Sequence, residues 1–312
     1  MSLVKTLLKL FKNNSKSNIN SNYHSCLDCE SRIKQYIDSR LTNHLLRSPL
    51  YFANSDRIFI HTSEGFRLFL DANDLHLSLH VIENGIWEGC IKKILEEILV
   101  SDSVFVDIGA NIGITSLYAS SYNPQGRVFC FEAVPKTFDI LHSNIELNGL
   151  LERVKIENKA VSSTSGKIDF EYFSSHAGMS GIKVMDERLL NFKGKKQRLE
   201  VESVSLDDYF PVNTKIDLIK IDVEGFEFEV LKGASRVITE NCNIKIIIEY
   251  YPENIKSVLG AEAIENFLNY VKSQKFKIFI IDNKKGKTII NYDELEKQSQ
   301  NPSFGANLLM YR

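Results

Sequence analysis

The chain has 312 residues, 43% of them hydrophobic and 25% charged, with a formal net charge of -2 at pH 7. That balance is ordinary for a soluble globular protein of one large or two modest domains, and it excludes an overall basic field for nucleic acid. No apolar run approaches the ~18–20 residues of a membrane span, and no apolar stretch with a small-residue cleavage site opens the chain, so a cytoplasmic protein is expected.

MSLVKTLLKLFKNN places Leu3, Leu7, Leu10 and Phe11 at roughly helical spacing, with Lys5, Lys9 and Lys12 between them. A basic amphipathic helix over residues 1–12 can rest on an anionic membrane surface or dock on protein, and docking is the plainer expectation. NNSKSNINSN is a polar linker. Cys26 and Cys29 form a CxxC with no second pair to complete a zinc site, and five scattered cysteines argue against a disulfide framework. Residues 30–47 again have helical periodicity. RIFIHT and FRLFL, around SEG, predict a hairpin at 57–70, and Cys90–Val100 predicts an amphipathic helix. The expected division is an N-terminal helical extension and linker at 1–49, a hairpin and helix at 50–101, and a core domain at 102–312.

From residue 102 strands and helices alternate. Strands are expected at 103–108, 127–132, 153–158, 215–222, 243–250, 275–282 and 306–311, and helices at 113–123, 135–148, 225–239 and 261–274. Apolar strands such as IDLIKI and NIKIIIEY imply a doubly wound, mostly parallel sheet covered on both faces. The rhythm breaks at about 162–205, where KIDFEYF and RLEVESV predict added strands in an insertion. FKIFIID and NLLMYR, joined without a long helical pattern, suit antiparallel pairing.

In such a sheet ligands sit at the C-terminal strand ends. FVDIGANIG places Asp107 and Gly109 where the first strand stops. Gly109 permits a sharp turn and a ligand close to the backbone, Asn111 offers a donor and an acceptor, and Gly113 allows close packing of the next helix. Glu132 ends the second strand, 23 residues beyond Gly109, where an acid accepts both hydroxyls of a ribose. Asn111 stands where a dinucleotide fingerprint has its second glycine, and Asp107 would repel a diphosphate. A positive end suits that acid better, as in the ammonium of S-adenosylmethionine. The alternatives are a nucleotide-dependent oxidoreductase and a catalytically inactive nucleoside-binding module.

Several stretches in order resemble the FkbM-type methyltransferases: GIWE (85–88), VFVDIGANIGITSLYAS (104–120), VFCFEAVPKTFDILHSNIELNGL (128–150), KAVSSTSGKIDF (159–170), SVSLDDYF (203–210), IDLIKIDVEGFEFEVLKGA (216–234) and IIIEYYPE (246–253). The resemblance implies a class I methyltransferase (Rossmann-like) α/β fold, with a seven-stranded sheet of order 3-2-1-4-5-7-6. It implies S-adenosylmethionine-dependent O-methylation of a hydroxyl on a sugar, glycolipid, surface polysaccharide or related natural product. Carried over, Asp107, Gly109, Asn111 and Gly113 line the methionyl and ribose region, Glu132 holds the ribose, and Ala133, Ala160 and Val161 flank the adenine.

Methyl transfer to a poor nucleophile needs positioning and a proton acceptor. Asp222, ending the fourth strand, is the main candidate, with Lys220 on the same strand face and able to pair with it. Glu224 is a second candidate, with stabilisation of the following helix N-terminus as its alternative role. His176, in SSHAGMSG, is a third, and Ser180 lies in the same loop. Asp222 and Glu249, at neighbouring strand ends, are suited to one magnesium ion; the metal-free site is the favoured reading. Asn148, before Gly149, is a structural helix stop.

Overall fold

A computed structural model describes residues 50–53, 56–74, 77–173, 196–282 and 286–312. The expected basic helix, the CxxC, the helix at 30–47, His176 and Ser180 lie outside the described residues. The chain forms two compact units, Met1–Gly85 and Ile86–Arg312. No helix among the described residues is long and apolar enough to cross a membrane.

In the first unit, β1 (Leu50–Phe52), β2 (Arg57–His61) and β3 (Arg67–Asp71) form an antiparallel sheet, followed by helix α1 (Leu77–Asn84). Alternation along the hairpin buries Ile58, Ile60, Leu68 and Leu70. Sequence periodicity predicted the hairpin but neither β1 nor α1.

The second unit opens with α2 (Gly89–Ile98), β4 (Val104–Ile108), α3 (Ile114–Tyr122), β5 (Arg127–Phe131), α4 (Pro135–Leu147) and β6 (Val154–Glu157). The insertion contributes β8 (Gly166–Phe173) and β9 (Lys196–Val204), which pair antiparallel, while β7 (Ala160–Val161) pairs parallel with β9 as a separate small sheet. Then come α5 (Leu206–Tyr209), β10 (Leu218–Ile221), α6 (Glu227–Gly233), α7 (Ser235–Glu240) and β11 (Lys245–Tyr250). The chain finishes through α8 (Pro252–Leu259), α9 (Glu262–Ser273), β12 (Lys277–Asp282), β13 (Gly286–Ile290), α10 (Tyr292–Ser299) and β14 (Ala306–Tyr311).

The main sheet has the order β13-β12-β14-β11-β10-β4-β5-β6. Read from β6 to β12 it is the expected 3-2-1-4-5-7-6 arrangement, parallel from β6 through β11, with β14 antiparallel between β11 and β12. Eight strands replace the expected seven, because β13 folds back on β12 at the sheet edge. Its residues are mostly exposed, with Ile290 alone buried, and carry too weak an apolar signal to be predicted. The connection also holds α10, capped by Asn291 accepting from the Glu294 N–H at 2.8 Å.

β10 lies at the sheet centre and all four of its residues are buried, Leu218, Ile219 and Ile221 completely. Burial of such side chains contributes about 1.5–3 kcal/mol each. Ile219 and Ile221 belong to one buried hydrophobic cluster with Val230, Leu231, Ile238, Phe267 and Val271 from the helices. Tyr250 stacks on Phe267, with ring centroids 4.7 Å apart. The single helix expected at 225–239 is instead α6 and α7. It breaks where Gly233 lies so close to Ser162 that a Cβ would be 2.0 Å from the Ser162 carbonyl oxygen.

Candidate active site

The loop after β4 runs from Gly109 to Gly113 with left-handed backbone at Gly109, Asn111 and Gly113 (φ 76°, 51° and 89°). The N–H groups of Gly109 and Ala110 both reach the Phe131 carbonyl at 3.0 Å. Asn111 N–H donates to Glu132 Oε2 and Val134 N–H to Glu132 Oε1, each at 2.9 Å. Glu132 therefore ties the β4 and β5 loops together. Asn144, from α4, holds the Ile112 carbonyl at 2.8 Å, and Asn158 holds the carbonyls of Glu132 and Ala133 at 2.9 and 3.2 Å. Ala133 is half-buried, and Ala160 and Val161 are buried in β7.

Gly109 has a second reason for being glycine beside the sharp turn and ligand approach expected from sequence. A Cβ there would lie 1.8 Å from the Asp222 carbonyl oxygen, so the β4 and β10 loops touch at this point. At Gly113 a Cβ would sit 2.6 Å from Leu141 Cδ1, the close helix packing read from the sequence.

Acids converge on one buried lysine beside this loop. Lys220 is paired in register with Asp107 across β10 and β4. Its Nζ is 2.7 Å from Asp222 Oδ2 and 3.9 Å from Glu88 Oε2. Burial works against the Lys220 ammonium, but Asp222, Glu88 and Asp107 outweigh it and hold the group charged. Burial likewise pushes the Asp222 carboxyl up, and Lys220 more than reverses this, leaving it below its ordinary value. Asp107 is fully buried. Its Oδ2 accepts from Ser116 Oγ at 2.6 Å, while Oδ1 has no hydrogen-bond partner among the described residues. Burial holds its carboxyl above the usual range.

Asp222, Glu224 and Glu249 bring carboxylate oxygens within 4.8 Å of one another. Burial and then Asp222 lift the Glu224 and Glu249 carboxyls well above their ordinary value. Glu224 does not stabilise the next helix. Its backbone is left-handed, as is Gly225 (φ 53° and 99°), and Glu227 serves the loop instead. Glu227 Oε1 accepts from Val223 N–H at 3.2 Å and Gly225 N–H at 3.0 Å. Tyr251, 42% exposed, stands beside these acids, all of which raise its hydroxyl pKa after burial has done so.

The arrangement offers a carboxylate for diol recognition, a buried acceptor for a cation and carboxyls of raised pKa that can exchange a proton. Sequence reasoning assigned no role to Glu88, Asn158, Glu227 or Tyr251. Glu88 was visible within GIWE and Glu227 within the IDVEGFE stretch, but neither marks its role by spacing.

The methyltransferase FkbM domain family matches residues 107–278, more than half of the chain. The chain belongs to this family. Methyltransferase sdnD of Sordaria araneosa is 32% identical over 187 residues, covering 52% of this chain and 72% of that protein. Hexuronic acid methyltransferase AglP of Haloferax volcanii is 34% identical over 175 residues, covering 54% and 66%. The 2-O-methyltransferase NoeI of Sinorhizobium fredii is 28% identical over 152 residues, covering 45% and 60%. As an FkbM-family methyltransferase, the protein transfers methyl groups, which sets aside the oxidoreductase reading. Glu88 lies upstream of the matched segment of this methyltransferase.

Proposed function

We propose that this protein methylates a hydroxyl on a sugar, glycolipid, surface polysaccharide or related natural product, with S-adenosylmethionine as the donor. The observation that carries the reading is the row of acids across three neighbouring strands: Glu132 just past β5, Asp107 within β4 and Asp222 just past β10. A ribose at one end and a cation at the other match that row. Each Glu132 oxygen takes one backbone N–H and keeps a lone pair for a ribose hydroxyl. The orphaned, buried Asp107 Oδ1 fits a positively charged donor. Bound there, the cofactor supplies a methyl group already activated by a sulfonium.

Gly109, Asn111 and Gly113 shape the floor of this site, and Ala133, Ala160 and Val161 offer an apolar wall for the adenine. Asp222, held ionised by Lys220, orients the acceptor hydroxyl. Glu224 or Glu249, in its ionised form, takes its proton. His176 lies outside the described residues and carries no step here. The reading is metal-free. Lys220 already occupies Asp222 Oδ2, an oxygen that a magnesium ion at this cluster would compete for. An oxygen acceptor is supported by the name of one relative, a 2-O-methyltransferase, and a sugar-type acceptor by that of another, a hexuronic acid methyltransferase. The basic stretch at 1–12 suits a lipid-linked acceptor at the inner membrane face; unchanged membrane partitioning after deletion of residues 1–20 would remove that part.

Calorimetric titration with S-adenosylhomocysteine tests the cofactor. The expected result is micromolar-range binding that collapses in Glu132→Ala. Well-folded wild-type protein that binds none overturns the reading.

A further inference from the structure

We propose that Glu88 is a cofactor-binding residue that receives the ammonium of the amino-acid end of the donor. This rests on the reading of the site as an S-adenosylmethionine site.

Residue 88 is held in place from both sides. The Trp87 N–H donates to the Tyr118 hydroxyl at 3.3 Å, and the Glu88 carbonyl accepts from the Lys92 N–H at 3.1 Å. Between these anchors Glu88 adopts a left-handed backbone (φ 45°) at the start of α2. That conformation is uncommon for a residue with a long side chain and is maintained only where surrounding contacts enforce it. Its result is to turn the carboxylate inward, onto the Lys220 end of the acid cluster.

Inside, Glu88 Oε2 is buried with no hydrogen-bond partner among the described residues, and Lys220 stands 3.9 Å off, beyond hydrogen-bond distance. A buried carboxylate oxygen without a donor is costly. Burial pushes the Glu88 pKa up to about 7, with Lys220 opposing the rise and Asp222 and Asp107 adding to it. Asp107 Oδ1, near the same lysine, is likewise buried and without a partner. Two orphaned acceptors beside one committed cation form a seat for a second cation.

The sheet order says which end of the ligand reaches that seat. β5, β4 and β10 are adjacent. A ribose on Glu132, past β5, sends the rest of the molecule across β4 toward β10, where Glu88 faces Lys220. The amino-acid end is the end that arrives there, and it carries the ammonium.

The test compares two probes in calorimetry, S-adenosylhomocysteine and 5′-methylthioadenosine, on wild type and Glu88→Gln. The second probe keeps the nucleoside and lacks the amino-acid end. Glutamine keeps the shape and backbone demands of residue 88 and removes only the charge. The expected result is an S-adenosylhomocysteine affinity about 10- to 100-fold weaker in the variant, with 5′-methylthioadenosine affinity unchanged. Retained 5′-methylthioadenosine binding also reports a folded pocket. Unchanged affinity for both probes, or an equal loss of both, overturns the assignment while leaving the cofactor reading intact. Wild type that binds neither probe removes both. Glu88→Asp, which withdraws the charge by one methylene, is expected to fall between wild type and Glu88→Gln for the first probe alone. Should Glu88→Gln not fold, this second variant decides: no selective loss overturns the proposal.

Discussion

Lys220 Nζ lies 2.7 Å from Asp222 Oδ2, within a strand whose other residues are apolar and fully buried. Among the described residues, the lysine is the cation set among Asp222, Glu88 and Asp107. Replacing it by methionine preserves much of the volume and leaves those acids without a counter-charge. The expected loss of stability is about 3–5 kcal/mol, measured by urea denaturation at pH 7.5. The loss should shrink at pH 5.5, where the acids take up protons. A variant as stable as wild type at both pH values would mean that the acids are neutral in the folded protein.

Gly109 and Gly149 both have positive φ (76° and 71°), yet only Gly109 is crowded. Gly149→Ala meets nothing within 4 Å and should cost about 1 kcal/mol from the left-handed backbone alone. Gly109→Ala drives a Cβ into the Asp222 carbonyl and should cost about 2–4 kcal/mol, with the β4 and β10 loops forced apart. Equal losses in denaturant titrations would show that the loop contact is relaxed in solution.

Glu227 clamps the Val223 and Gly225 N–H groups beneath the left-handed turn at Glu224. Glu227→Ala should release both amides, costing about 1–3 kcal/mol and abolishing their hydrogen-exchange protection. Glu227→Gln retains a carbonyl acceptor and should preserve most of the protection. Equal protection in the alanine variant would assign the turn geometry to Gly225 and its contact with the Asn254 carbonyl.

The carboxyl of Glu132 is raised by burial from the ordinary 4.5 to about 7, its two backbone donors only partly offsetting this. A raised acid binds its proton more tightly when folded, so its contribution to stability is full below about 4.5 and is lost as pH rises through about 7. Glu88 and Glu227, also near 7 through burial, act in the same direction. The free protein should melt at a lower temperature at pH 8 than at pH 5.5 on this account. Glu132→Gln should flatten the dependence. A slope equal to that of wild type would mean that Glu132 ionises without cost.

Magnesium at millimolar concentration should leave the melting temperature unchanged, because Lys220 already pairs with Asp222 Oδ2. A rise in melting temperature that Glu249→Gln abolishes would instead assign a cation to the Asp222, Glu224 and Glu249 carboxylates.

Local chemistry was sufficient for much of this protein. Runs such as LIKI and KIIIEY, interrupted by turn residues, determined the alternating strands and helices, and with them the placement of Glu132, Asp222 and Glu249 at or next to strand ends. The ion pair of Lys220 with Asp222 was legible because residues two apart share a strand face. Elements with weak apolar contrast, β13 and α10, were not legible from the pattern. Tertiary structure alone decided the second reason why Gly109 is glycine, since its neighbour is the Asp222 carbonyl, far along the chain. It alone turned Glu88 toward Lys220 and put Glu227, rather than Glu224, on the loop amides. Strand and helix patterns are set by neighbours within a few residues, whereas the partner of a buried carboxylate is set by which strands the sheet brings side by side.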